Sequence, residues 1–355
     1  MILGAAGSKT EGSALASPDR TSDGSRADLE TGLARALAEA EPGLPAPSVR
    51  VTGSASVGAT RRTVFVDIVR GDTTVPAVAQ LAGSALASIS FESEASLVAM
   101  AAAAGVPVAK PLAAGDGRHV GVPFLLSRRV DGMTVPRHIL RAVGENPSLG
   151  RTLTRQCGRA LGALHGIDPA LVPPDLSRFV DPTPTQAYAD HLAALATTVP
   201  PSPVIALGQR WLSRRQPEPH SPVLVHGDLR NGNLVVGPDG LRAVLDWELA
   251  HVGDPMEDLA WLCLRCWRFL GDDLEVGGFG NVADLRSAYE EAGGTWRPEA
   301  FHWWKVARTM WWCLVLRLQA QAFESGASPS LVLAASGRRV AELEYDLLML
   351  IRPEP

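Results

Sequence analysis

Residues 225–259 read V-H-G-D-L-R-N-G-N-L-V-V-G-P-D-G-L-R-A-V-L-D-W-E-L-A-H-V-G-D-P-M-E-D-L. A short apolar run ending at Val225 delivers a turn that carries His226, Gly227 and Asp228. Asn233 follows, then an apolar strand over 234–236, a Pro238-Asp239-Gly240 turn, and a second strand over 241–245 that ends in Asp246. Two strands joined through Asp-Gly form a hairpin, and its open end brings Asn233 and Asp246 together. Asp228 sits on the loop just before the first strand. The segment thus offers two oxygen ligands for a hard cation beside a carboxylate able to orient a hydroxyl.

Phosphoryl transfer needs that layout, because a carboxylate must aim the nucleophile while Mg²⁺ bridges the phosphates through a few oxygen ligands. The run His226-Gly227-Asp228-Leu229 to Asn233, then Asp246-Trp247-Glu248, is similar in spacing to the protein-kinase loop H-R-D-L-x-x-x-N followed by D-F-G. With Gly where kinases carry Arg, and with Gly253-Asp254-Pro255 and Asp258-Leu259-Ala260 beyond, the stretch resembles the aminoglycoside phosphotransferase family. That group also takes in choline, homoserine and hydroxyacyl-CoA kinases. A lone H-G-D occurs often by chance; the joint match on a loop–strand–turn–strand pattern is specific.

The resemblance implies an α+β, two-lobed protein-kinase-like fold, with a small N-terminal β-rich lobe and a larger, mostly helical C-terminal lobe. It implies ATP and Mg²⁺ as cofactors. Asp228 and Arg230 are expected to be catalytic, Asp228 aiming the acceptor and Arg230 offsetting phosphate charge. Asn233 and Asp246 are the expected metal ligands. His226, Asp254 and Asp258 are expected behind them, His226 steadying the loop and Asp254 bracing it.

Composition sets outer limits. A chain of 355 residues suggests two domains or lobes. A formal net charge of -5 lacks the basic footprint of a nucleic-acid binder. No apolar run approaches the ~18–20 residues of a membrane helix. The start, 1–7, lacks the basic and apolar regions of a signal peptide, so a reduced, cytoplasmic setting is expected. Cys263 and Cys266 form a lone C-x-x-C among helix-core residues and read as packing.

Residues 1–27 are rich in Ser, Gly, Ala and Asp and read as a disordered leader. Asp28 is expected to cap a helix with Leu29, Leu33 and Leu37 on one face, ending near Pro42. Residues 48–88 should form the sheet that covers the nucleotide, with strands beginning at Val49, over 63–68 and over 77–81. The small residues between the first two, including Ser54, Ser56 and Gly58, read either as an ATP lid or as an ordinary hairpin turn.

In kinases a basic residue on the third strand pairs the phosphates with a helix glutamate. This chain instead places Gln80 in that slot, with Glu94 (or Glu92) as the glutamate. Arg61 or Arg62 from the lid, or Arg230, are the candidates to replace the missing charge. By resemblance, adenine is expected near the backbone of Leu126 to Arg128. The lobes then divide near Gly132, into residues 28–132 and 133–355.

Beyond 132 the pattern is helical, with helices expected over 153–167, 184–197, 204–214, 255–269, 282–292, 298–325 and 329–351. His165 reads as a packing or capping residue. Trp303, Trp304, Trp311 and Trp312 fall in pairs eight residues apart, on nearly one face, and read as core packing ahead of a substrate wall. Acids and bases are interspersed from Pro255 onward, which disfavours a polycationic acceptor. The tail, 336–348, resembles bacterial members near the hydroxyacyl-CoA kinase branch.

The leading expectation is an ATP-dependent O-phosphotransferase acting on a small-molecule hydroxyl. A second is a kinase that phosphorylates Ser/Thr of a natural-product precursor peptide with a partner protein. A third, suggested by Gln80, is a pseudokinase-like binding or scaffold protein with a degenerate ATP lid.

Overall fold

The computed structural model describes residues 23–54, 61–83 and 89–352. The expected nucleotide contacts Ser56 and Gly58, and the expected leader up to residue 22, lie outside the described residues. The chain separates into two compact units, residues 1–99 with 109–130, and residues 100–108 with 131–355.

The first unit contains α1 (Asp23–Ala40), β1 (Ser48–Ser54), β2 (Arg61–Arg70), β3 (Thr73–Ala82), the start of α2 (Phe91–Ala103), β4 (Pro111–Gly115) and β5 (Phe124–Arg128). Helix α1 begins ahead of the expected cap at Asp28. The strands form one antiparallel sheet in the order β1-β2-β3-β5-β4. Alternation explains its two faces. Val64, Val66 and Ile68 of β2, with Ala77, Ala79 and Leu81 of β3, are buried on one side. They join Leu29, Leu33 and Leu37 of α1 in a single core with Ala113 and Leu126. The opposite face carries Arg61, Thr63 and Phe65 of β2 and Val78 and Gln80 of β3, with Thr63 directly across from Gln80.

The second unit holds α3 (Pro136–Glu145), α4 (Pro147–His165), α5 (Pro184–Ala196), α6 (Pro203–Arg214), β6 (Val223–Val225), β7 (Leu234–Gly237), β8 (Gly240–Val244), β9 (His251–Gly253), α7 (Met256–Leu262), α8 (Val282–Glu291), α9 (Pro298–Glu324), α10 (Leu331–Gly337) and α11 (Val340–Ile351). Five of these helices open with proline, whose fixed φ and missing N–H suit a first turn. The expected hairpin is present, with β7 and β8 antiparallel and Leu234 opposite Val244. A second antiparallel pair, β6 with β9, sets Val225 against His251.

Two expected helices are shorter than the sequence pattern suggests. The one over 255–269 stops at Leu262, because Gly277 N donates to Leu262 O (3.0 Å) and Arg268 Nη2 to Cys263 O (2.9 Å). Those donors satisfy carbonyls that a continuing helix would have used. The one over 329–351 divides at Gly337, where an added Cβ would lie 2.9 Å from the Cβ of Ala320 on α9. Cys263 and Cys266 are buried, and burial pushes each thiol up to about 12. Neither is therefore a thiolate at neutral pH. Among the described residues no helix is long and apolar enough to cross a membrane.

Leu37 is fully buried between α1 and the sheet. Leu37→Ala is expected to destabilise the protein by about 2–5 kcal/mol, read as a lower urea midpoint with an unchanged m-value.

Candidate active site

The turn after β6 is fixed by one carboxylate. Asp258, on the first turn of α7, accepts from His226 N at 2.8 Å through Oδ2 and from Gly227 N at 2.9 Å through Oδ1. His165 at the end of α4 places Nε2 3.3 Å from Asp258 Oδ2 and Nδ1 3.0 Å from the Tyr289 hydroxyl of α8. His165 thus orients the brace, a larger part than the packing role its sequence context suggests. Burial pushes the Asp258 carboxyl upward. The His165 hydrogen bond, the His165 and His226 charges and the His226 amide outweigh that and hold it below the usual carboxylate value.

Gly227 has a φ of 77°, and an added Cβ there would run into the Leu249 carbonyl. This is a left-handed position that only glycine fills without strain. Its carbonyl accepts from Arg308 Nη2 of α9 at 2.6 Å. The Arg308 guanidinium also donates to Glu257 Oε1 (2.9 Å) and the Tyr188 hydroxyl (2.8 Å), and lies over Trp261 and Trp311. Glu257 in turn meets His251 Nε2 at 3.1 Å.

Asp228 follows, with its amide donating to His226 Nδ1 at 3.1 Å. The His226 ring packs on Trp247, centroids 4.5 Å apart. The carboxylate of Asp228 is held on both oxygens. Oδ1 accepts from Trp261 Nε1 (2.8 Å) and Arg230 Nε (3.0 Å), and Oδ2 from Asn233 Nδ2 (2.7 Å). Arg230 therefore rests on the carboxylate itself, with its guanidinium 4.3 Å from the Trp267 ring centroid.

Asn233 Nδ2 also donates to Asp228 O at 2.9 Å, which commits the amide nitrogen and leaves Oδ1 as the atom offered to a cation. Leu245 N donates to Asn233 O at 2.9 Å, so the hairpin mouth sets Asp246 next to Asn233. Asp246 has a φ of 68°, a left-handed conformation that Asp tolerates better than most residues. An amide oxygen and a carboxylate suit Mg²⁺, a hard ion that keeps several waters and takes few protein ligands. No group of three or more His, Cys, Asp or Glu with metal-holding geometry occurs among the described residues.

Other expected positions lie elsewhere. Asp254 does not touch the loop; it accepts from Met256 N at 2.8 Å and pairs with Arg297. Its backbone carbonyl accepts from Glu257 N at 3.1 Å, and it is Asp258 that holds the loop amides. In the first unit Glu94 pairs with Arg61, Nη2 to Oε2 at 2.7 Å. Gln80 sits on β3 opposite Leu125 as well as Thr63, and Ser54 is exposed at the end of β1. Leu126 is buried in β5 between β3 and β4. Arg128 N donates to Lys110 O (2.8 Å) and Arg129 N to Pro76 O (3.0 Å), so these two amides are already used by the sheet.

Trp261, Arg308, Glu257 and Asn231 were not singled out from sequence. Asn231 is buried and donates to Gly277 O at 2.7 Å. The one local hint was charge inside an apolar helix, as at Arg308 within V-A-R-T-M-W-W, which signals a buried pair.

The phosphotransferase enzyme family model matches residues 51–302. The chain belongs to that family. It is an enzyme, a kinase of the aminoglycoside phosphotransferase type, with the two-lobed kinase-like fold. A Ralstonia eutropha JMP134 protein, named as an inferred aminoglycoside phosphotransferase, is 21% identical with a TM-score of 0.69, covering 90% of this chain and 97% of that one. A thermostable mutant of the aminoglycoside phosphotransferase APH(4)-Ia, solved with AMP-PNP and hygromycin B, is 17% identical with a TM-score of 0.57, covering 91% of this chain and 98% of that one. Acyl-CoA dehydrogenase family member 10 of Mus musculus is 31% identical over 182 residues, which are 49% of this chain and 16% of the mouse protein. The chain thus spans only a small part of the length of that relative.

The lowered Asp258 value means that its contribution to stability is present above the unfolded carboxylate value, near pH 4, and is lost as pH falls through the folded one. Asp258→Asn is expected to lower unfolding free energy by about 3 kcal/mol at pH 7. The gap from wild type should shrink on acidification below about pH 4, as measured by urea titrations at pH 7 and pH 3.

Proposed function

We propose that this phosphotransferase moves the γ-phosphoryl group of ATP to a hydroxyl of a small molecule. The observation that carries the reading is the double restraint of Asp228. Trp261 and Arg230 hold one oxygen and Asn233 the other, beside a hairpin mouth that presents Asn233 and Asp246. Asp228 orients the acceptor hydroxyl and receives its proton as the phosphoryl group transfers. Asn233 and Asp246 would hold Mg²⁺, which when bound neutralises charge on the phosphates. Arg230, already beside the carboxylate, supplies positive charge where the transferring group must arrive. The AMP-PNP complex of APH(4)-Ia supports ATP as the donor.

Aromatic rings line the same region. Trp261 packs edge-on against Trp267 and Trp311, and Trp311 stacks with Trp312. Trp303 and Trp304 are fully buried, whereas Trp311 and Trp312 stay partly exposed. The first pair is core, and the second suits an acceptor with an apolar body better than a polycation.

Asp228→Ala and Asp246→Ala are each expected to lower Mg²⁺-dependent phosphoryl transfer from ATP, or ATP hydrolysis without acceptor, by about a hundredfold or more. Far-UV circular dichroism should stay unchanged. Turnover that survives both substitutions in folded protein overturns the assignment.

A further inference from the structure

We infer that Arg308, buried on α9, is a positioning residue for phosphoryl transfer, setting the Asp228 carboxylate through the backbone at Gly227 and through the indole of Trp261. The inference rests on the phosphotransferase reading and concerns only how that carboxylate is held.

Arg308 is 3% exposed, and Glu257 is fully buried. A cation at that depth is costly unless its donors are met. Glu257 alone would meet the charge, yet the guanidinium is spread over three acceptors on separate elements. Nη1 donates to Glu257 Oε1 of α7 at 2.9 Å and to the Tyr188 hydroxyl of α5 at 2.8 Å, and Nη2 donates to the Gly227 carbonyl at 2.6 Å. A lysine concentrates its donors at one point and lacks this planar fork. Stability by itself does not call for such a group, since apolar replacement of a buried ion pair often matches it. What the fork adds is direction.

The flat faces of the guanidinium are used as well. The rings of Trp261 and Trp311 meet edge to face at 74°, and Arg308 Cζ lies in the corner between them, 4.2 Å from either centroid. A desolvated cation over an indole is a strong contact, and here it fixes the plane of Trp261. That same ring donates from Nε1 to Asp228 Oδ1 at 2.8 Å. Gly227 directly precedes Asp228, so one guanidinium governs both the main chain entering this residue and a donor at the tip of its side chain. A displacement of about 1 Å in an orienting group can cost a hundredfold in rate.

A purely structural arginine would change stability and leave the turnover of folded molecules alone. Mg²⁺-dependent ATP hydrolysis, with kcat and KM separated, would be measured on wild type, Arg308→Met, Trp261→Phe and the two combined. A urea midpoint for each would establish that the assayed protein is folded. Arg308→Met is expected to lower kcat by about tenfold to a hundredfold, with KM for Mg·ATP within about twofold. Trp261→Phe keeps a ring in the corner but removes the N–H, and is expected to lower kcat by about tenfold. Because both act on one carboxylate, the combined variant should fall within about threefold of Arg308→Met alone. If Arg308→Met does not fold, Arg308→Lys takes its place in the set, since it keeps a counter-ion for Glu257 without the fork. An unchanged kcat in the folded arginine variant, a loss confined to KM, or losses that multiply in the combination would overturn the role of Arg308 while leaving phosphotransfer intact. A wild type that hydrolyses no ATP with Mg²⁺ would instead sink the phosphotransferase reading itself.

Discussion

A single buried carboxylate sets the geometry on which the chemistry depends. Asp258 collects the consecutive amides of His226 and Gly227, so the chain turns sharply before Asp228. Two adjacent N–H groups aimed at one carboxylate leave the loop little freedom. The left-handed glycine is the backbone form that this convergence demands. His165 and Tyr289 fix the carboxylate from behind, and Arg308 takes the carbonyl on the other side of the turn. Charged groups this deeply buried are tolerable because each is matched.

Helix α7 is short, yet it does two jobs. Asp258 and Trp261 are three residues apart and share a face. One braces the backbone just before Asp228, and the other donates to the Asp228 carboxylate. A shift of α7 would displace both together. Its early end at Leu262 is then part of the design, because the following turn brings Trp267 beneath Arg230.

The site was legible where chemistry is written in adjacent residues. The hairpin, with its Asp-Gly turn and alternating apolar strands, placed Asn233 beside Asp246 from sequence alone, and Asp228 and His226 lie within the same short loop. What could not be read were partners distant in the chain. Asp254 and Asp258 look equivalent on a line of letters, yet only one faces the loop once α7 forms. Arg308 lies 81 positions from Gly227, and no local pattern joins them. Arg61 and Arg62 are neighbours in sequence but fall on opposite faces of the sheet, a distinction that hangs on the register of β2 against β3. Helix lengths failed where a glycine or a long-range donor intervened, since periodicity is blind to both.

The bond from Arg308 to the Gly227 carbonyl also imposes an order on biosynthesis. When the ribosome has finished the hairpin, the arginine that closes its preceding turn has not yet been made. The nascent polypeptide therefore carries the loop from His226 to Asn233 before this contact to its glycine can form. The turn is closed from that side only once α9 has been made, so a fragment ending short of that helix would contain the loop without the guanidinium that caps its carbonyl.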